Sequence, residues 1–223
     1  MPRNGAPTRE RILDTAERLV IENGFAATTV DQVIAESGTS KGSFFHHFGS
    51  KLDLARSLVA RYAAADVANL DDALAKAHAQ TDDPAERVIA FVRVFEDGAD
   101  ELMSAQSNCL YVSILTERQL AQSGTSEQIV AAIQAWRTAL ADLLRAAFAA
   151  DPPSQPVDAD ALADHVFVTF EGAFLLCRST GEPGHMRAQL TVLRRLLESV
   201  LGQRRSMPRS RAGAEWVSAP TDR

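Results

Sequence analysis

Cysteine is nearly absent from this chain of 223 residues, which holds two, Cys109 and Cys177. Two thiols in apolar helical contexts make no disulfide framework, so both are expected free in a reducing compartment. No run of about 20 apolar residues exists to cross a bilayer. No basic start followed by an apolar stretch marks a secretory signal. A cytoplasmic protein without a membrane partner is therefore expected. Period-two alternation of any useful length is missing, which removes strands from the expectation. The chain also lacks a Cys-x-x-Cys pair, a nucleophile elbow and a phosphate-cradling Gly loop. Glu182 and His185 have a metal-ligand spacing, but Pro183 and Gly184 stand between them and no second copy exists. Neighbouring His46 and His47 point to different helix faces and make poor joint ligands. No catalytic residue, metal or cofactor is expected.

What is present is charge of uneven sign. The total is −6, from 23 Lys and Arg against 29 Asp and Glu. Residues 1–62 carry eight basic and seven acidic residues, a net +1. Residues 63–202 carry ten basic and twenty acidic, a net −10, and residues 203–223 carry five Arg and two acids, a net +3. A polyanion would be attracted to the first segment and repelled by the second.

Nearly all of the chain reads at helical period. Ile12, Leu13, Ala16, Leu19 and Val20 form one apolar stripe, ended at Asn23-Gly24, and Phe25 is expected to plug a small core. Thr29 and Gln32 have capping-box spacing, and Ser50 with Asp53 gives a similar signal before a helix running to about His78. Asp82-Asp83-Pro84 opens another helix, with Asp97-Gly98 as its break. A strong helix holds Ile129, Val130, Ile133, Trp136, Leu140, Leu143 and Leu144. The break at Asp151-Pro152-Pro153 precedes two last helices, near 158–179 and 183–202. Residues 203–223 are Arg-, Ser- and Pro-containing and are expected to form a flexible tail.

The segment Thr28–Lys51, TTVDQVIAESGTSKGSFFHHFGSK, holds a short helix, a turn centred on Gly38 and a second short helix. That is the layout of a helix-turn-helix, which sets its second helix in the DNA major groove. Groove entry needs small or polar tips toward base edges and donors for phosphate on the flanks. Thr39, Ser40, Lys41, Gly42 and Ser43 supply the first. Phe44 and Phe48, four apart, can pack inward, leaving Phe45 and His46 on faces that meet the backbone. His47 and Lys51 can donate to phosphate, as can Thr29 at a helix N-terminus.

Gly38, Ser40, Lys41, Gly42, Ser43, Phe44, Phe45, His47, Phe48 and Lys51 stand at the spacing of the TetR family of transcriptional regulators, and residues 8–62 resemble its head. Phe45 replaces the family's usual Tyr and so lacks a hydroxyl for phosphate, and Thr39 replaces a common Val. The resemblance implies DNA contacts from Thr29, Thr39, Ser40, Lys41, Ser43, His47 and Lys51. It also implies an all-α fold: a three-helix head over residues 1–51, and a helical ligand-binding and dimerisation domain over 52–202, with about nine helices in all. Under it, the protein is a repressor that binds a palindromic operator on double-stranded DNA as a homodimer and is released by a small molecule.

For the ligand, Phe91, Phe95, Met103, Cys109, Tyr111, Trp136, Phe167, Phe170 and Phe174 are candidate lining residues, with His165, Glu171 and Arg178 as polar anchors. The same aromatic residues at helical spacing also suit a plain core. The last two helices are apolar over a wide arc, and a second copy would cover them. Two other classes stand beside this reading: an enzyme built on a helical bundle, and an adaptor that binds protein through its acidic body.

Overall fold

The computed structural model describes residues 6–105 and 126–202. Cys109, Tyr111 and the tail expected at 203–223 lie outside the described residues. Those residues form nine helices and no strand. In chain order they are α1 (Ala6–Asn23), α2 (Val30–Glu36), α3 (Lys41–His47), α4 (Lys51–Gln80), α5 (Pro84–Asp97), α6 (Ala99–Ala105), α7 (Ser126–Ala150), α8 (Ala159–Thr180) and α9 (Gly184–Val200).

Local chemistry sets the ends. Thr29 caps α2 in a complete capping box: its hydroxyl accepts the Gln32 amide at 3.2 Å, and the Gln32 side chain accepts the Thr29 amide at 2.9 Å. Past α2, the Thr39 amide returns to the Ile34 carbonyl and the Gly38 amide to the Ala35 carbonyl, at 3.2 and 3.3 Å. These paired bonds are a Schellman closure, and it needs a left-handed residue, which Gly38 supplies at φ +62°. Ser40 then caps α3 and Ser50 caps α4, each by accepting an amide three residues on at 3.1 Å. Two helices and a tight reversal thus fit within residues 30–47.

Two apolar cores follow. The head core gathers Ile12, Leu13, Ala16, Leu19 and Val20 from α1, Phe25, Val33 from α2, Phe44 and Phe48, and Leu54, Ala55, Leu58 and Val59 from α4. The body core gathers Leu70, Ala73 and Ala77 of α4 with apolar faces of α5, α7, α8 and α9. The 30 residues of α4 serve both. At a rise of about 1.5 Å per residue they span about 45 Å. Helix α7 serves both as well, through Ile129 and Ala132 in the head core and Trp136, Leu140 and Leu144 in the body core.

Ion pairs fix the head's helices to each other. Arg61 on α4 reaches Asp14 at 2.6 Å, Glu10 at 3.3 Å and also Glu17, all on α1. Arg18 holds Glu22 at 2.9 Å and pairs with Glu36 on α2. In the body, the Arg194 guanidinium on α9 donates to Glu96 on α5 at 2.6 Å, and the Thr191 hydroxyl donates to the same carboxylate at 2.7 Å. Arg194 is 19% and Glu96 13% exposed in their side chains, so this pair is among the better shielded of the ion pairs.

Candidate nucleic-acid interface

Helix α3 presents two unlike faces. Phe44 and Phe48 are buried in the head core, with ring centroids 5.7 Å apart. Phe45, His46, Lys41 and Gly42 are exposed, and Ser43 and His47 half-buried. Phe45, 47% exposed, sets its ring edge-on to Phe44 at 5.2 Å. A ring this open on a short helix leaves apolar surface in water, which a ligand surface can cover.

The hydroxyls of Thr29 and Ser40 are engaged as caps. Thr39 precedes the cap of α3 and is half-buried, its hydroxyl 2.9 Å from that of Ser37. It belongs to the turn before α3 rather than to the helix itself. Lys51 is half-buried too. Its ammonium donates to the Ala26 carbonyl at 3.2 Å and sits 4.3 Å from the centre of the Phe25 ring. It ties α4 to the segment before α2 and brings a cation beside Thr28 and Thr29.

Charge on the head is arranged, as well as counted. Five of the seven acids in residues 1–62, Glu10, Asp14, Glu17, Glu22 and Glu36, are held in the ion pairs of Arg61 and Arg18. A sixth, Asp53, accepts the Gly49 amide at 2.9 Å and lies in the first turn of α4. Helix α3 holds no acid and carries Lys41, His46 and His47. Six of the seven acids are thus engaged by neighbouring groups, Asp31 in the first turn of α2 being the other, while the exposed side of α3 carries no acid of its own.

Where α4, α5, α6, α7 and α8 meet, the body holds a cleft with about 50 Å³ of interior space. Phe95, Trp136, Phe170, Glu171 and Phe174 line it, together with Phe167. Tyr62, Asp66, Asn69 and Leu102 line it as well, and the sequence reading had not named them. A signal was present for the first three: they recur at i, i+4 and i+7 on α4, a polar and aromatic stripe among alanines. Phe91 is fully buried behind Trp136, ring to ring at 5.9 Å, and Met103 is buried in the body core. Neither lines the cleft. Nor do two of the three expected anchors. His165 lies two residues before Phe167 and so faces away from the α8 stripe, exposed; Arg178 is exposed one turn beyond Phe174.

Residues 12–58 match the family model described as bacterial regulatory proteins, tetR family. The chain belongs to the TetR family. Residues 84–193 match a second model, the tetracyclin repressor-like C-terminal domain. The chain is 27% identical over 187 residues to the transcriptional regulator AcuR of Cereibacter sphaeroides, covering 78% of this chain and 81% of that one. It is 36% identical over 56 residues to the transcriptional repressor BepR of Brucella suis, across 25% and 27% of the two chains. A TetR transcriptional regulator from Chloroflexus aurantiacus superposes with a TM-score of 0.69 at 28% identity, covering 87% of this chain and 96% of that one. The regulatory protein TetR from Rhodobacter sphaeroides shares the fold with a TM-score of 0.68 at 24% identity, over 83% and 96%.

This TetR-family chain is accordingly a DNA-binding transcriptional regulator, and not an enzyme. Among its described residues no helix is long and apolar enough to cross a membrane.

Proposed function

We propose that this regulator is a cytoplasmic repressor that binds a palindromic operator as a homodimer and leaves it when a small molecule enters the body's cleft. The head, residues 1–51, reads DNA, and residues 52–202 bind ligand and partner. Lys41, Gly42, Ser43, Phe45, His46 and His47 meet the duplex from α3. Thr29, Thr39, Ser40 and Lys51 contact it from the flanking turns and helix starts. The observation that carries this reading is the junction itself: α4 and α7 each contribute to both cores, and the cleft is walled by both helices. A ligand there acts on the elements that hold the heads.

Support for the second copy comes from α8 and α9. Val168, Leu175, Val192 and Leu196 are 61%, 59%, 49% and 53% exposed. Large apolar side chains clustered this way on neighbouring helices favour association. A two-fold axis would set two α3 helices on successive turns of the duplex. For release, the ligand must bind more tightly to the form whose heads do not match that spacing.

The test is electrophoretic shift on fragments selected from the source genome, with Lys41→Ala plus Lys51→Ala as the variant. Weaker binding, with the salt slope reduced by about four, is expected for two phosphate contacts in each of the two protomers. Unchanged binding by the folded double variant overturns the assigned interface.

A further inference from the structure

Among the buried side-chain polar atoms of the described residues, one has no hydrogen-bond partner: the indole Nε1 of Trp136. Trp136 is 6% exposed, and its residue lines the cleft. An orphaned buried N–H is costly, and a bound group that supplies an acceptor relieves that cost. The surroundings narrow what that is. The Trp136 ring lies 5.5 Å from Phe95 and 6.0 Å from Phe170, centre to centre, and those two rings meet edge-on at 5.1 Å. With Phe167 and Phe174 they offer flat apolar walls, which suit a planar ring. The polar side chains on the lining are Tyr62, Asp66, Asn69 and Glu171, with no Lys, Arg or His among the described lining residues. Asp66 and Glu171 already have interactions within the protein, and neither brings positive charge to the cleft. An anion buried there would lie beside two carboxylates.

From this we infer that the effector is a planar aromatic molecule without negative charge, whose ring nitrogen or carbonyl oxygen accepts the Trp136 indole N–H. The inference rests on the proposed effector cleft and adds the chemical class of its ligand and the residue that selects it. Trp136 is a specificity-determining contact: the Phe rings hold any flat ring, and the indole prefers one with an acceptor. A ring that carries none leaves the N–H as poorly satisfied as it is without ligand.

The probes are quinoline, which carries the acceptor, naphthalene, its near-isostere without one, and 2-naphthoate, the anion. Dissociation constants for wild type and Trp136→Phe give the ratio of quinoline to naphthalene affinity in each protein. Because partition from water is common to both proteins, the change in that ratio isolates the indole hydrogen bond. It is expected to fall by about tenfold in the variant, the scale of one buried hydrogen bond regained. A second reading needs no change at this site. In ¹⁵N-labelled Trp216→Phe protein, which leaves Trp136 as the single tryptophan, quinoline should move the indole proton downfield and naphthalene should not. A ratio that does not change, an indole proton that stays in place, no quinoline binding, or 2-naphthoate binding as tightly as quinoline overturns the inference. Operator binding measured on the same samples separates the two claims. Protein that shifts DNA but fails these tests loses only the ligand class, while protein that shifts no DNA loses the proposed function.

Discussion

Ile129 and Trp136 lie two turns apart on α7 yet end in different cores: Ile129 is sealed in the head core, and Trp136 walls the cleft of the body. Ile129 has no exposed surface. A helix is stiff over two turns, about 10 Å, so displacement at one residue reaches the other with little loss. Helix α4 makes the same passage with Leu58 and Val59 in the head core and Asp66 and Asn69 at the cleft. Head and body are therefore tied by two rigid members instead of a single hinge.

Shortening Ile129 tests that tie. Ile129→Ala leaves a cavity in the head core and should lower stability by about 2–4 kcal/mol in urea unfolding. Ile129→Val removes one methyl group and should cost about 1 kcal/mol. If α7 carries the signal, Ile129→Val retains quinoline binding while needing more quinoline to release the operator. Equal release in variant and wild type would show that α7 does not transmit.

At Phe45 the ring is exposed and lacks the hydroxyl common in the family. Phe45→Tyr adds one donor in each protomer and should tighten operator binding by the dimer about 5- to 100-fold, the worth of two hydrogen bonds. Phe45→Ala should weaken binding while barely changing stability, because Phe44 and Phe48 fill the core beneath. Titration of a labelled operator at fixed salt measures both.

Acid should loosen the join between α5 and α9. The Arg194 hydrogen bond holds the Glu96 carboxyl below its ordinary value, against the opposing effect of burial, and the Thr191 hydroxyl adds to the lowering. A carboxyl depressed in the folded state contributes stability that is fully present above its unfolded value and lost as pH falls through its folded value. Glu96→Gln should therefore be less stable than wild type at neutral pH by about 1–3 kcal/mol. The gap should narrow as pH falls below the ordinary carboxylate range, through the lowered folded value. Urea midpoints across that range provide the check, and a gap constant with pH would exclude the carboxylate as its source.

Leu175 and Leu196 are exposed on neighbouring helices. Leu175→Glu with Leu196→Glu should turn a dimer into a monomer in light scattering at micromolar concentration. Unfolding of the separated chain should change little, since neither side chain is buried within it. Operator affinity should fall steeply, because half a palindrome is then bound by each head alone. A dimer that survives the pair of charges would remove α8 and α9 from the interface.

The head was legible in the sequence down to single hydrogen bonds. Thr29 with Gln32, Ser50 with Asp53, Gly38 and the Phe44–Phe48 pair each act within a few residues of their own position, and residue type with spacing fixes what they do. Thr39 and Lys51 were harder. Whether Thr39 begins α3 or ends the turn depends on one peptide unit, and Lys51 is drawn to Ala26, far behind it in the chain. In the body, periodicity identified the apolar faces of α5, α7 and α8 without telling lining from filling. Phe91 and Phe95 are equally apolar and one turn apart, yet one is sealed and the other borders the cleft.

The sequence by itself determined the all-helical fold class and the helix-turn-helix, because caps, glycine turns and apolar stripes are local and act through a few neighbouring residues. Only the tertiary structure decided which side chains surround the cleft, that α7 enters the head core, and that the Trp136 N–H is left without an acceptor among the described residues. Those outcomes depend on how five helices from distant parts of the chain stack, and packing at that range follows from side-chain volumes competing for the same space.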